Sequence, residues 1–173
     1  MSKVILLGTS HTFQIRNSDA QEWVSEQFRQ LLISLCIEHK ANGIAEEMNE
    51  VALLEHNAST TIAKTVALEL RIGHQLSDPP PNIRKSLGIQ SENYIRAIGH
   101  LKKLSNDDIE AEILRAYRIR ESYWLSQLQI FNSYPVVFIC GANHVESFTS
   151  ILLGNSCEVI VAAPDWEPNE SDL

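Results

Sequence analysis

The stretch VVFICGANHVESF, from Val136 to Phe148, opens with five apolar residues, turns at Gly141 and places His144 three positions later. A short apolar run with no polar alternation predicts a strand buried on both faces, as in a parallel sheet covered by helices. VILLGTSHTF, from Val4 to Phe13, repeats the pattern, with Gly8 after the apolar run and His11 three positions on. In an open parallel α/β sheet, ligands sit outside the carboxyl ends of the strands. Two glycines that let the chain turn, each followed by a histidine, therefore predict two imidazoles aimed into one crevice.

Working outward, strands and helices alternate. Val24, Phe28, Leu31, Leu32 and Leu35 recur at helical spacing behind a capping box at Ser18 and Gln21. Asn42-Gly43 ends that helix, and Gly43–Glu47 (GIAEE) predicts a second strand. Val51, Leu54, Ala58, Ile62, Val66 and Leu70 mark one amphipathic helix from about 50 to 71. Residues 72–78 predict a short strand, stopped by Pro79-Pro80-Pro81, which cannot continue a ladder. A helical insertion spans about 79–104. Ser105-Asn106-Asp107-Asp108 starts a long helix with acids in its first turn. Val159–Ala162 predicts the last strand. The expectation is one three-layer α/β domain over residues 1–163, with a mostly parallel sheet of about four or five strands and helices on both faces. Residues 164–173 read as an acidic, flexible tail.

Composition narrows the function. At 173 residues the chain can bury a single substantial core. A formal net charge of −8 argues against a general nucleic-acid or anionic-membrane surface. Cys36, Cys140 and Cys157 have no metal-type spacing and read as reduced, mostly buried thiols. The first apolar run is too short for a signal peptide's core, and no run approaches a membrane span. A cytoplasmic location is expected. Gly8 lacks the further glycines of a dinucleotide fingerprint, and neither a phosphate loop nor a Gly-x-Ser-x-Gly elbow occurs. No nucleotide cofactor is expected.

The expected strand ends carry His11, Glu46 and Glu47, Asp78, and His144. A length comparison adds two residues. The long helix runs antiparallel to the strand after it. From Phe131 back to Arg120 is roughly 16 Å at the helical rise, and from Val136 to Gly141 is roughly 16 Å at the strand rise. Arg120 and Glu121 should therefore lie level with His144. Both fall beside the apolar stripe, where a charge without a partner costs several kcal/mol. Asp78, before three prolines, reads as a turn former that Arg84 pairs with. His39, His56, His74 and His100 read as structural or surface residues, and Cys140 as packing.

These residues in this order resemble the erythromycin-esterase, ChaN, TraB and Tiki superfamily. The resemblance runs from Val4 to Phe148 through Gly8-Thr-Ser-His11, Glu46 in GIAEE, Arg120-Glu121 and Gly141-Ala-Asn-His144. The run from Asp78 to Ile89 is similar to one in a group of small bacterial proteins. The resemblance implies an α/β fold and hydrolytic chemistry, with metal-dependent members of the Tiki type and histidine-activated water in the esterases. The chain departs from the pattern in its Glu46-Glu47-Met48 triplet, so no substrate carries over.

The expected function is a hydrolase acting on a small molecule or peptide. It activates water with His11, His144 and one or more of Glu46, Glu47 and Glu121, while Arg120 steadies negative charge. Two routes remain open. A divalent ion held by His11, Glu46, Glu47 and His144 could lower the pKa of bound water, and that donor set suits Zn, Mn, Fe or Co. Alternatively, one histidine oriented by a carboxylate acts as the base. The rival class is a non-catalytic module that binds a small anionic ligand or a protein partner in the same crevice.

Overall fold

The computed structural model describes residues 2–15 and 22–169. Strands β1 (Lys3–Thr9), β2 (Gly43–Glu46), β3 (Gly73–Leu76), β4 (Val136–Gly141) and β5 (Glu158–Trp166) form one sheet. Their order is β3-β2-β4-β1-β5, and every neighbouring pair is parallel. The helices are α1 (His11–Gln14), α2 (Glu22–Glu38), α3 (Glu50–Glu55), α4 (Ile62–Leu70), α5 (Pro81–Ser86), α6 (Glu92–Leu101), α7 (Asn106–Phe131) and α8 (Val145–Gly154). A 3₁₀ turn, Ala142–His144, joins β4 to α8.

Side chains alternate across each strand, so the apolar runs feed two cores. Ile5, Leu7, Ile44, Val137 and Ile139 meet Phe28, Leu32, Leu35 and Val66 of α2 and α4. Val4, Leu6, Ala45, Phe138 and Cys140 meet Trp124, Leu128, Phe148 and Leu152 of α7 and α8. This is the expected three-layer arrangement. Crossovers of one hand that run in opposite directions put their helices on opposite faces. The connections from β1 to β2 and from β2 to β3 run towards one edge. Those from β3 to β4 and from β4 to β5 run towards the other. The chain thus parts between neighbouring β1 and β4, and a crevice opens at their carboxyl ends. No helix among the described residues is long and apolar enough to cross a membrane.

Three local expectations differ from the structure. The helix expected over 50–71 is two helices: α3 ends near His56, Asn57 adopts a left-handed φ of 53°, and Thr61 caps α4 by accepting from the Lys64 amide. Apolar residues continue at helical spacing through the break, yet the helices pack apart: Leu53 of α3 joins a small cluster with Ile15, Met48 and Ala58, while Ile62, Ala63 and Val66 of α4 join the main core, and Val51 and Leu54 are exposed. The last strand continues to Trp166, so residues 164–166 belong to the sheet and not to a loose tail. Trp166 packs on Phe13 and Phe28, and the Thr9 hydroxyl donates to its carbonyl. Pro164 is tolerated because β5 is an edge strand. The tail beyond 169 and the capping box at Ser18 and Gln21 lie outside the described residues.

The third difference concerns the glycines. Gly8 does not turn the chain; it sits inside β1, opposite Cys140. A Cβ there would lie 2.0 Å from the Pro164 carbonyl oxygen and 2.5 Å from Val145 Cγ2. The β1–β5 register shifts between Leu6 and Leu7 and again between Leu7 and Thr9, across Gly8. Gly141 is extended, with φ −60° and ψ 141°. Close approach, not left-handed backbone, is what Gly8 provides.

Candidate active site

Each strand of the sheet's middle delivers a polar residue as its ladder ends. After β1, Ser10 caps α1 and His11 begins it. After β4, the 3₁₀ turn carries His144. Strand alternation divides the two glutamates after Ala45. Glu47 turns into the crevice. Its Oε1 lies 2.6 Å from Arg120 Nη1, 3.4 Å from His11 Nε2 and 3.8 Å from His144 Nε2. Its Oε2 accepts from the Gly141 amide at 2.7 Å. Glu46 points to the opposite face, where its Oε1 accepts from Thr61 Oγ1 at 2.5 Å and His74 Nε2 at 2.7 Å. Glu46 therefore does not join the two histidines, whereas Glu47 does.

The length comparison between α7 and β4 places its two residues as expected. Glu121 Oε1 meets His144 Nδ1 at 2.7 Å and accepts from Ser147 Oγ at 2.5 Å. A carboxylate so placed holds the ring proton on Nδ1 and leaves Nε2 towards the crevice. Rings of Tyr117 and Trp124, with centroids 4.1 and 4.8 Å away, clamp the imidazole. The two histidines differ in access: the His11 side chain is 44% exposed and that of His144 only 6%.

Arg120 is the positive centre. Its Nε donates to Asp78 Oδ1 at 2.6 Å, its Nη1 faces Glu47, and its guanidinium lies 5.2 Å from the Trp124 ring centre. Asp78 also accepts from Trp124 Nε1, Asn49 Nδ2 and Arg84 Nη2. Asp78 thus pairs with Arg84 as expected, but it also anchors the arginine of the site. Burial weakens the Arg120 charge, yet Glu47 and Asp78 outweigh it and its pKa is raised. Burial alone would raise the Glu47 carboxyl; Arg120 and His11 reverse this and hold it down at about 2. Burial lowers His11, but the Glu47 carboxylate beside it raises the pKa overall. Tyr117 is pushed up to about 12 by burial and by its bond to Glu92, so it stays a neutral donor.

The cluster faces a crevice of about 500 Å³, with Ser10, Asn143 and Asp165 on its walls. That space suits a small molecule or a peptide segment.

The expected metal ligands can be tested against this geometry. With Glu46 on the other face, His11, Glu47 and His144 remain. Arg120 Nη1 stands 2.6 Å from Glu47 Oε1 and 3.5 Å from His144 Nε2, in the space a shared divalent ion would need. No group of three or more His, Cys, Asp or Glu among the described residues is arranged to hold a metal ion. As arranged, these residues do not fit one. The three cysteines are buried and unpaired, and Cys140 lies in the core beneath the site.

Sequence reasoning missed Ser147, Tyr117 and His74. Ser147 and Tyr117 have no motif, only helical positions that face His144. His74 follows from β3 lying beside β2, a pairing that strand patterns do not specify. No protein family, curated protein or solved structure matches this chain, so what the site can do is carried by its own residues and their geometry.

Proposed function

We propose that the chain is a hydrolase in which His144 is the base that activates water. Glu121 accepts a hydrogen bond from Nδ1–H, and the Nε2 lone pair faces the crevice. Transfer of a water proton to Nε2 makes an imidazolium, which Glu121 stabilises without itself being protonated. Arg120 offers its charge to the oxygen that becomes negative as water attacks. His11, more exposed and with its protonated form favoured by the Glu47 carboxylate, donates a proton to the leaving group. One environment favours an acid and the other orients a base, so the two histidines take different roles.

The observation that carries this reading is the buried 2.7 Å contact between Glu121 and His144 Nδ1, beside a charged arginine. A non-catalytic anion-binding module is less well supported. Binding an anion alone needs no buried carboxylate at the Nδ1 of an imidazole.

Turnover of a panel of chromogenic esters, amides and phosphate esters tests the proposal. Hydrolysis by the wild type should survive exhaustive chelation and fall by about 10²–10⁴ in His144→Ala. Activity that chelation abolishes and a divalent ion restores would return the metal-dependent route. Activity unchanged in His144→Ala would remove His144 as the base.

A further inference from the structure

We propose that the groove along β3 is a second ligand site, taking a small neutral molecule with an apolar body and a hydroxyl head that donates to His74. The groove, about 930 Å³, is larger than the catalytic crevice and lies between α3, α4 and the free edge of β3. Apolar residues make up much of its wall, among them Leu53, Ala67, Ile72 and Leu76. Leu54 and Leu68 stand at its rim, more than 70% exposed. Such volume and lining are those of pockets that enclose small ligands.

The groove also has a polar floor. Glu46, fully buried, receives Thr61 Oγ1 and His74 Nε2 on one oxygen, while its Oε2 is buried with no hydrogen-bond partner among the described residues. Thr61 is used up, since its hydroxyl also accepts from the Lys64 amide as the cap of α4. His74 gives Nε2–H to Glu46 and makes no other hydrogen bond among the described residues, so Nδ1 remains as an acceptor at the groove wall. The arrangement mirrors Glu121 and His144 on the opposite face: a carboxylate fixes one ring nitrogen and leaves the other for a ligand.

The acceptor at His74 selects the head group. A hydroxyl can donate to Nδ1. A carboxylate would meet Glu50, and the buried Glu46 behind His74, with Lys64 the one Lys or Arg among the described lining residues. An ammonium would lose its hydration to apolar walls for one hydrogen bond. The site lies beside the hydrolytic chemistry, and at their shared border the Asp78 carboxylate is taken up by Arg84, Arg120, Trp124 and Asn49.

The test uses the full chain with labelled histidines at pH 8, titrated with 4-butylphenol and, for comparison, with butylbenzene and hexanoate. The phenol should bind saturably and move the His74 ring signals while those of His11 and His144 stay in place. Butylbenzene should bind about five- to tenfold more weakly, the value of one hydrogen bond, and hexanoate not at all. His74→Phe should lose the preference for the phenol. Leu68→Glu, on an exposed helix position, should fold normally and weaken both apolar probes. Equal affinity for phenol and butylbenzene, shifts at His144 in place of His74, binding unaffected by Leu68→Glu, or no saturable binding would each overturn the proposal.

Discussion

His11 and His144 begin from the same Gly-x-x-His spacing and end with different chemistry, because their neighbours differ. His144 is sealed under Tyr117 and Trp124 with Glu121 at its Nδ1. Replacing Glu121 by Gln keeps the shape but removes the obligate acceptor. The amide can present N–H to Nδ1, which moves the ring proton to Nε2 and blocks the base. Glu121→Gln should lower kcat by about 10²–10⁴ while changing the unfolding midpoint little. An equal loss of both would make Glu121 a packing residue. His11 and Glu47 predict a pH profile. Glu47, held near 2 against an ordinary 4.5, adds stability that is present above 4.5 and lost as pH falls towards 2. His11, raised above 6.5, adds stability that is full below 6.5 and fades as pH rises through its folded value. Urea unfolding should therefore show a plateau between about 4.5 and 6.5, falling on both sides. His11→Ala should remove the His11 share of the alkaline fall and shrink the acid one without abolishing it, since Arg120 still holds Glu47 down.

At the scale of elements, the fit of β5 against β1 depends on Gly8. Gly8→Ala puts a methyl group into the Pro164 carbonyl and Val145. Backbone cannot yield as a flexible side chain can, so the cost should reach the upper end of overpacking, about 3 kcal/mol or more by denaturant unfolding. Gly154→Ala is the control, with nothing within 4 Å of the new methyl; a loss there as large as at Gly8 would contradict the packing argument. Elements also show what a sequence can reveal. The rise of α7 against β4 brought Arg120 and Glu121 level with His144, because helical and extended rises are fixed by backbone geometry. The break between α3 and α4 was hidden, since Asn57 and Thr61 interrupt the backbone while apolar residues continue at helical spacing in the sequence. The end of β5 was hidden too. Its acids and Pro164 read as tail, and only an edge strand held by Trp166 tolerates them.

In the whole molecule, a parallel sheet and its crevice were legible from apolar runs ending in polar residues. Strand order was not. The β3–β2 and β4–β1 neighbours decide that Glu46 meets His74 while Glu47 meets Arg120, and no local pattern carries that information. The sheet parts its connections between β1 and β4, bringing His11, Glu47, Arg120 and His144 to one opening. The central claim is that this architecture holds His144 as an oriented base. Long-range ¹H–¹⁵N spectra of the His144 ring at pH 8 test it most directly. The account predicts a neutral ring with its proton on Nδ1 and a bare Nε2 in the wild type, lost in Glu121→Gln. A wild-type ring carrying its proton on Nε2 would contradict it.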